Sequence, residues 1–310
     1  MKAIICPKYG PAEVLRIEER DKPTPHEGEL LVKIHAASVT NSDIFIRSSK
    51  VDPLLLIPMR LMIGITRPRN EIIGEVFAGT VEGVGARIER FRVGDRVYGL
   101  TGMSLGAYAD YKCMTERDSK RGCVARMPAS IGFEEATGAA YGGLLALQAL
   151  EKGGIEKRRR VLVYGASGTT GTMAVQIVRA FGGQVTGVCS AGKADFVRGL
   201  GASAVLDYAD DASAGKLERY DLVLDAVGKA RSSKLKEACK RALADGGAFV
   251  SIDGEALVCD SARLERIGKL IDERGVKPIT DRIFGFAEIV EAHKYVELGH
   301  KLGNVAIKVN

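Results

Sequence analysis

Seven consecutive residues, Gly165-Ala166-Ser167-Gly168-Thr169-Thr170-Gly171, place a glycine at every third position. Glycine lets the backbone turn sharply where a strand ends, and a missing side chain lets an anionic group approach the main chain. A small residue also lets the following helix lie close to the sheet. A helix opening on such a turn offers free N–H groups and the positive end of its dipole. That is the chemistry of pyrophosphate binding, and so of a dinucleotide. The spacing departs from G-x-G-x-x-G, because Ser167 stands two residues after Gly165. A strand–helix turn that binds nothing is the competing reading. The strand-like Val161-Leu162-Val163-Tyr164 before the turn and the helical pattern after it weigh against that reading.

The end of the next strand bears on which dinucleotide. NAD sites carry Asp or Glu there, on the ribose 2′-hydroxyl. Here the strand ends Val188-Cys189-Ser190, with Ala191-Gly192-Lys193 behind it and no acid. A hydroxyl and an ammonium suit a 2′-phosphate. The pattern therefore points to NADP(H), the alternative being that Lys193 only opens an exposed helix.

The elements that must position these residues follow from periodicity. The first part of the chain reads as β-rich. Glu29 to His35 alternates, Val76 to Val84 and Arg96 to Leu100 follow between glycines, and Ala107 to Cys113 reads as another strand. Near residue 130 the pattern changes. Phe133 to Lys152 reads as one long helix. After it come strands at Val161–Tyr164, Gln184–Cys189, Ala204–Leu206, Asp221–Asp225 and Ala248–Ile252, with helices expected at Thr172–Phe181, Lys193–Leu200 and Ser232–Leu243. Near-continuous apolar strands alternating with helices mean a parallel sheet covered on both faces. A helix at Phe286–Leu298 and a strand-like tail at Asn304–Val309 close the chain.

Composition narrows the class. With 310 residues, 46% of them apolar, a sizeable core is expected. The net charge of +6 is spread along the chain, and the one basic run, Lys157–Arg160, has no interleaved aromatic residues on which bases could stack. It reads as a solvated corner, and no nucleic-acid partner is expected. Six cysteines form no CxxC pair and read as reduced thiols of a cytoplasmic protein. The opening Met-Lys-Ala-Ile-Ile-Cys-Pro is too short an apolar stretch for a signal peptide. No apolar run approaches a membrane span, since Leu54–Ile57 is flanked by Pro53, Pro58 and Arg60.

Over nearly its whole length the chain resembles the medium-chain dehydrogenase/reductase superfamily, and most of all its zinc-independent quinone oxidoreductase (zeta-crystallin-like) branch. The resemblance is carried by Tyr9-Gly10-Pro11-Ala12-Glu13-Val14-Leu15, by Val39-Thr40-Asn41-Ser42-Asp43, and by Gly83-Val84-Gly85 with Phe91-Arg92-Val93-Gly94-Asp95-Arg96-Val97-Tyr98-Gly99. Gly106 to Tyr111 and Gly299-His300-Lys301-Leu302-Gly303-Asn304-Val305 also fit. It implies a Rossmann doubly wound parallel sheet, residues 127–277, inserted in a GroES-like mostly-β catalytic domain of residues 1–126 plus 278–310. The cofactor would lie in the cleft, and homodimers would be expected. By position Ser190, Lys193 and Tyr208 match the family's 2′-phosphate contacts. Thr137, Val227 and Asn304 match positions at the nicotinamide end, though each also suits packing.

Zinc-using members of the superfamily hold the metal with Cys and His. Here those positions read Asn41 and, in Gly74-Glu75-Val76, Glu75. No metal is expected, the alternative being Glu75 as an isolated oxygen ligand. Hydride delivery to a small apolar quinone or α,β-unsaturated carbonyl is then the fitting reaction, with hydrogen bonds stabilising the enolate. Asn41, with two amide donors, is the candidate for the carbonyl oxygen or the nicotinamide, or else a turn residue bonding its own backbone. Asp43 reads as structural. The proton donor is not identified: some relatives use a Tyr about ten residues after the Asn, and Ser49-Lys50-Val51-Asp52-Pro53 has none, which leaves Tyr141 or water. Leu54 to Pro68 is expected to form a substrate-side rim or part of the core. A zinc-type alcohol dehydrogenase and a non-enzymatic NADPH-binding protein of structural or regulatory role are the alternatives.

Overall fold

A computed structural model describes residues 1–49, 60–61, 63–230, 233–253 and 256–309. Residues 50–53, where no Tyr occurs, and most of the expected rim, 54–59 and 62, lie outside them.

In chain order, β1 (Lys2–Ile5) and β2 (Arg16–Glu19) form an antiparallel pair. There follow β3 (Glu29–Ser38), helix α1 (Asn41–Ser48), β4 (Val76–Val84), β5 (Arg96–Leu100), β6 (Tyr111–Thr115) and β7 (Cys123–Arg126). Helix α2 (Phe133–Gly138) runs through a wide π turn at Ala139–Gly143 into α3 (Leu144–Lys152). Then come β8 (Arg160–Tyr164), α4 (Thr169–Ala180), β9 (Gln184–Cys189), α5 (Ala194–Gly199) and β10 (Ala204–Asp207). The alternation ends with β11 (Tyr220–Asp225), α6 (Lys234–Arg241) and β12 (Leu243–Ser251). Helix α7 (Ser261–Arg274), β13 (Thr280–Gly285), α8 (Ile289–Glu297) and β14 (Asn304–Lys308) close the chain.

Two compact units result. One comprises Met1–Ala140, Cys259–Glu265 and Thr280–Asn310, the other Tyr141–Val258 and Arg266–Ile279. The first is mostly β: its larger sheet runs β13-β14-β3-β4-β5-β7, with β6 also paired to β3. Ile4, Val32, Ile34, Phe77, Tyr108 and Ile307 are among its buried core. The second is a Rossmann-type parallel sheet of order β10-β9-β8-β11-β12 with helical crossovers. Its central strand is buried from Val161 to Tyr164, as a sheet covered on both faces requires.

The structure corrects several local expectations. The strand expected over Ala107–Cys113 is β6, Tyr111–Thr115; before it Leu105, Gly106 and their neighbours run irregularly, Leu105 with φ 50°. The helix expected to start at Thr172 starts at Thr169, directly on the glycine turn. β12 begins at Leu243 rather than Ala248, and α6 stops before it at Arg241. Helices α1 and α7 were not anticipated. α7 carries its signal in the open: Leu264, Ile267 and Ile271 recur at helical spacing and are buried.

Candidate functional site

The glycine turn is built by main-chain contacts. The N–H groups of Gly165 and Ala166 both donate to Val188 O at the end of β9, at 2.9 and 3.0 Å. Gly165 has φ +83°, where a Cβ would also come within 2.3 Å of Val227 Cγ2. A Cβ on Gly171 would lie 2.1 Å from Gly165 O, so α4 can pack this closely only without side chains. At Gly168 a Cβ would meet only Gly165 O, at 3.6 Å, so this face of the turn is open. Gly168 is the N-cap of α4 and supplies no side-chain acceptor. The first-turn N–H groups thus end in an uncapped, twelve-residue helix whose surroundings suit a phosphate. Ala166, Ser167 and Thr170 are buried within the turn, and Thr169 O accepts from Thr172 Oγ1.

Ser190, Lys193 and Tyr208 gather at the ends of β9 and β10. Lys193 N–H donates to Ser190 O at 2.9 Å, and Tyr208 N–H donates to Cys189 O at 3.1 Å. The Tyr208 side chain is 45% exposed. Val227 follows β11 and packs on Gly165 through the contact just described, its N–H held by Asp225 Oδ1. The parallel sheet thus brings the glycine turn after β8 and the residues Ser190, Lys193 and Tyr208 to the same end of adjacent strands.

Thr137 and Asn304 lie in the first unit, also together. Asn304 Nδ2 donates to Thr137 Oγ1 at 2.9 Å, Asn304 Oδ1 accepts from Ser38 Oγ at 2.6 Å, and both residues are buried. The pair ties α2 to β14 and β3.

Asn41 is the first residue of α1, and it is exposed. Thr40 caps this helix, with its Oγ1 accepting from Asp43 N while Thr40 N and Oγ1 both donate to Asp43 Oδ2, at 2.8 and 2.7 Å. Asp43 is thus a structural residue, fully buried. Its second oxygen, Oδ1, has no well-formed hydrogen bond, though the Tyr108 hydroxyl and the Glu75 N–H lie near enough to favour its ionised form. Burial outweighs these groups and raises Asp43 to about 6.

By sequence Glu75 stands where a zinc ligand is missing, or is an isolated oxygen ligand. It stands just before β4, with its carbonyl oxygen held by Thr101 N at 2.7 Å. Burial, and then the Asp43 charge, raise its carboxyl to about 8; the Ser42 hydroxyl bonds it and pulls the other way, and Cys259 lies close. Behind Asp43, the Tyr108 hydroxyl lies 3.3 Å from His293 Nε2. Burial, reinforced by nearby Arg47, lowers His293 to about 3, so it is neutral. The thiols of Cys123 and Cys259 are also in contact, and the hydrogen bond from Cys123 lowers Cys259. No sequence spacing foretells any of these meetings. Among the described residues no three His, Cys, Asp or Glu side chains converge to hold a metal, and no helix is long and apolar enough to cross a membrane.

The comparisons with known proteins agree with this architecture. Residues 26–148 match the family model of the alcohol dehydrogenase GroES-like domain, and residues 255–307 match one described as zinc-binding dehydrogenase. The chain is 27% identical over 359 residues to NAD(P)H oxidoreductase RTN4IP1, mitochondrial, of Danio rerio, covering 100% of this chain and 91% of that protein. It is 28% identical to 2-methylene-furan-3-one reductase of Solanum lycopersicum, covering 99% and 79%. The solved quinone oxidoreductase from Coxiella burnetii shares its fold at a TM-score of 0.82 and 24% identity, over 100% and 99% of the two chains.

Proposed function

The chain belongs to the medium-chain dehydrogenase/reductase superfamily, in its quinone-oxidoreductase-like branch, and on that premise we propose an NADPH-dependent, zinc-independent reductase of small apolar quinones or α,β-unsaturated carbonyls. The coarser statement, an NAD(P)H oxidoreductase of the quinone and alkenal reductase type, follows from its relatives. The observation that carries the finer one is the meeting of the open glycine turn with Ser190, Lys193 and Tyr208 at the ends of β9 and β10.

When bound, the nicotinamide supplies hydride. The residues of the chain hold and orient. The main chain of Gly165 to Gly171 receives the pyrophosphate, and Ser190, Lys193 and Tyr208 take the 2′-phosphate. Val227, Thr137 and Asn304 complete the proposed cofactor set. Asn41 offers its amide N–H groups to the carbonyl oxygen, where negative charge develops as hydride arrives. Asn41 and Glu75, standing where zinc-using relatives have Cys and His, support the zinc-independent reading. Six free cysteines suit a reducing compartment such as the cytoplasm. The edge position of β12 suits strand pairing in a homodimer.

NADPH oxidation against a quinone, an enone and an aldehyde, each with and without chelator, tests the reading. Turnover of the quinone or the enone, insensitive to chelator, is expected. Chelator-sensitive aldehyde reduction would point to a zinc-type alcohol dehydrogenase. Tight NADPH binding without turnover would point to a structural or regulatory protein.

A further inference from the structure

A reductase of this kind needs a proton as well as a hydride, and no donor was legible in the sequence. We infer that Glu75, on the turn into β4 and beside Ser42 of α1, is the group that supplies it. The inference rests on the reductase reading above.

The placement comes first. Gly74 has φ +99°, and a Cβ there would lie 2.6 Å from the Tyr108 ring, so the chain passes tightly over Tyr108 just before Glu75. The Glu75 carbonyl is pinned by Thr101 N and by Thr101 Oγ1, the latter at 3.2 Å, and Thr101 is buried. The carboxyl lies against the first turn of α1, bonded by the Ser42 hydroxyl. Ser42 follows Asn41, the exposed residue assigned to the substrate carbonyl. The Glu75 side chain is half-buried, so it is screened from bulk water without being sealed from it.

The neighbours decide its protonation. From α1 it faces Asp43 and Ser42, and from the segment before α7 it faces Cys259. Tyr108 stands behind Asp43, with His293 and Arg47 beyond it. Asp43 takes the two Thr40 bonds and is the ionised member of the pair at neutral pH; Glu75, pressed by burial and by that charge, stays protonated up to about pH 8. Two carboxyls whose environments push them apart in this way divide the roles of structural anion and acid. The other acidic groups of the cluster are poorer donors. Burial pushes the Tyr108 hydroxyl far up, and His293 is neutral and buried.

The step balances simply. The bound nicotinamide would supply hydride to the β-carbon of an enone. The Glu75 O–H bond then breaks as a C–H bond forms at the α-carbon, using the electron pair of the enolate. The ketone is saturated, the cofactor is oxidised, and the Glu75 carboxylate recovers its proton from water. With a quinone the same proton goes to oxygen.

The test combines a spectroscopic and a kinetic readout. Infrared difference titration of the wild type minus Glu75→Gln should show a protonated carboxyl at neutral pH that titrates near pH 8. With NADPH and an acceptor the wild type uses, Glu75→Gln should lower kcat about 10²–10⁴-fold while NADPH affinity, read by fluorescence, stays unchanged. Glu75→Asp should restore part of the rate. Ser42→Ala, which removes a bond that favours ionisation, should move the alkaline limb of the wild-type pH profile upward, and it serves if Glu75→Gln fails to fold. A Glu75→Gln enzyme within about threefold of wild type, or a Glu75 carboxyl ionised at about pH 6, overturns the assignment alone. A wild type that reduces no acceptor overturns the reductase reading, and the donor role with it.

Discussion

Two helices of this molecule begin in opposite ways. α1 is closed by its own side chains: Thr40 caps it, and Asp43 lies buried in its first turn as the anion that the helix dipole favours. α4 is left open: Gly168 caps it with no side chain, in a turn where two of the three glycines admit no Cβ. The closed start carries its negative charge within the chain, and that charge shapes the protonation of Glu75 beside it. The open start leaves room for a negative charge from outside, the pyrophosphate of the proposed cofactor. Side chains that satisfy a helix end make structure, and their omission is what the proposed binding site uses.

The most direct way to break this contrast is to close α4. Gly168→Asp fits, since the added Cβ has only an ordinary 3.6 Å contact and φ is −82°. As a side-chain cap it should leave the melting temperature unchanged or raise stability by a few tenths of a kcal/mol. Its carboxylate would face the pyrophosphate. At about 4 Å and an effective dielectric near 20, each such charge pair costs about 4 kcal/mol. NADPH affinity should fall at least about 100-fold, measured by fluorescence titration beside a thermal melt. Loss of affinity with a matching loss of stability would mean that the turn is structural only.

Next in size is Lys193→Ala. Removing a charge-assisted bond to a 2′-phosphate costs about 1.5–3 kcal/mol, so NADPH should bind about 10–150-fold more weakly while NADH binding stays the same. Equal weakening of the two would place Lys193 elsewhere than at the 2′-phosphate. This sharpens the contrast, because it separates the charge proposed to choose the cofactor from the main chain proposed to hold it.

The two helix starts also differ in how much the sequence discloses. Most of what shapes the open start lies between Tyr164 and Thr172, with Val188 O, Val227, Gly142 and Gly187 closing on it from elsewhere, so the glycines could be read directly. Even so, Thr169-Thr170-Gly171 looks like turn by propensity, and α4 begins three residues earlier than its apolar pattern indicates. The parallel sheet was legible for a similar reason, since each strand announces itself by a local apolar run. The closed start was not legible. α1 has eight residues and opens on Asn-Ser-Asp, which local preference assigns to a turn. Its partners, Glu75, Tyr108, Cys259 and His293, come from four distant parts of the chain, and only the folded sheet brings them together. A missing zinc ligand was visible at Glu75; the burial and the Asp43 charge that act on its carboxyl were not.

The smallest effect tests the closed start itself. Thr40→Ala removes the cap, at about 1 kcal/mol of stability, and the hydroxyl hydrogen bond that Thr40 gives to the Asp43 carboxylate. The Thr40 N–H remains, so the main-chain bond can survive while the hydroxyl bond is lost. Either way Asp43 loses a group that favours its charge, and its folded pKa moves further above the ordinary 3.8 than the wild type's value of about 6. A carboxyl whose folded pKa is raised binds its proton more tightly folded than unfolded. Its contribution to stability is full below about pH 4 and is lost as pH rises through the folded value. The deficit of Thr40→Ala relative to wild type should therefore be smaller at about pH 4 and reach its full size, about 1–2 kcal/mol, by about pH 8 in urea melts. NADPH affinity should not change, because α4 has no part in it. A deficit that is the same at both pH values would show that Thr40 acts as a cap and nothing more, and that the Asp43 charge is held by other groups.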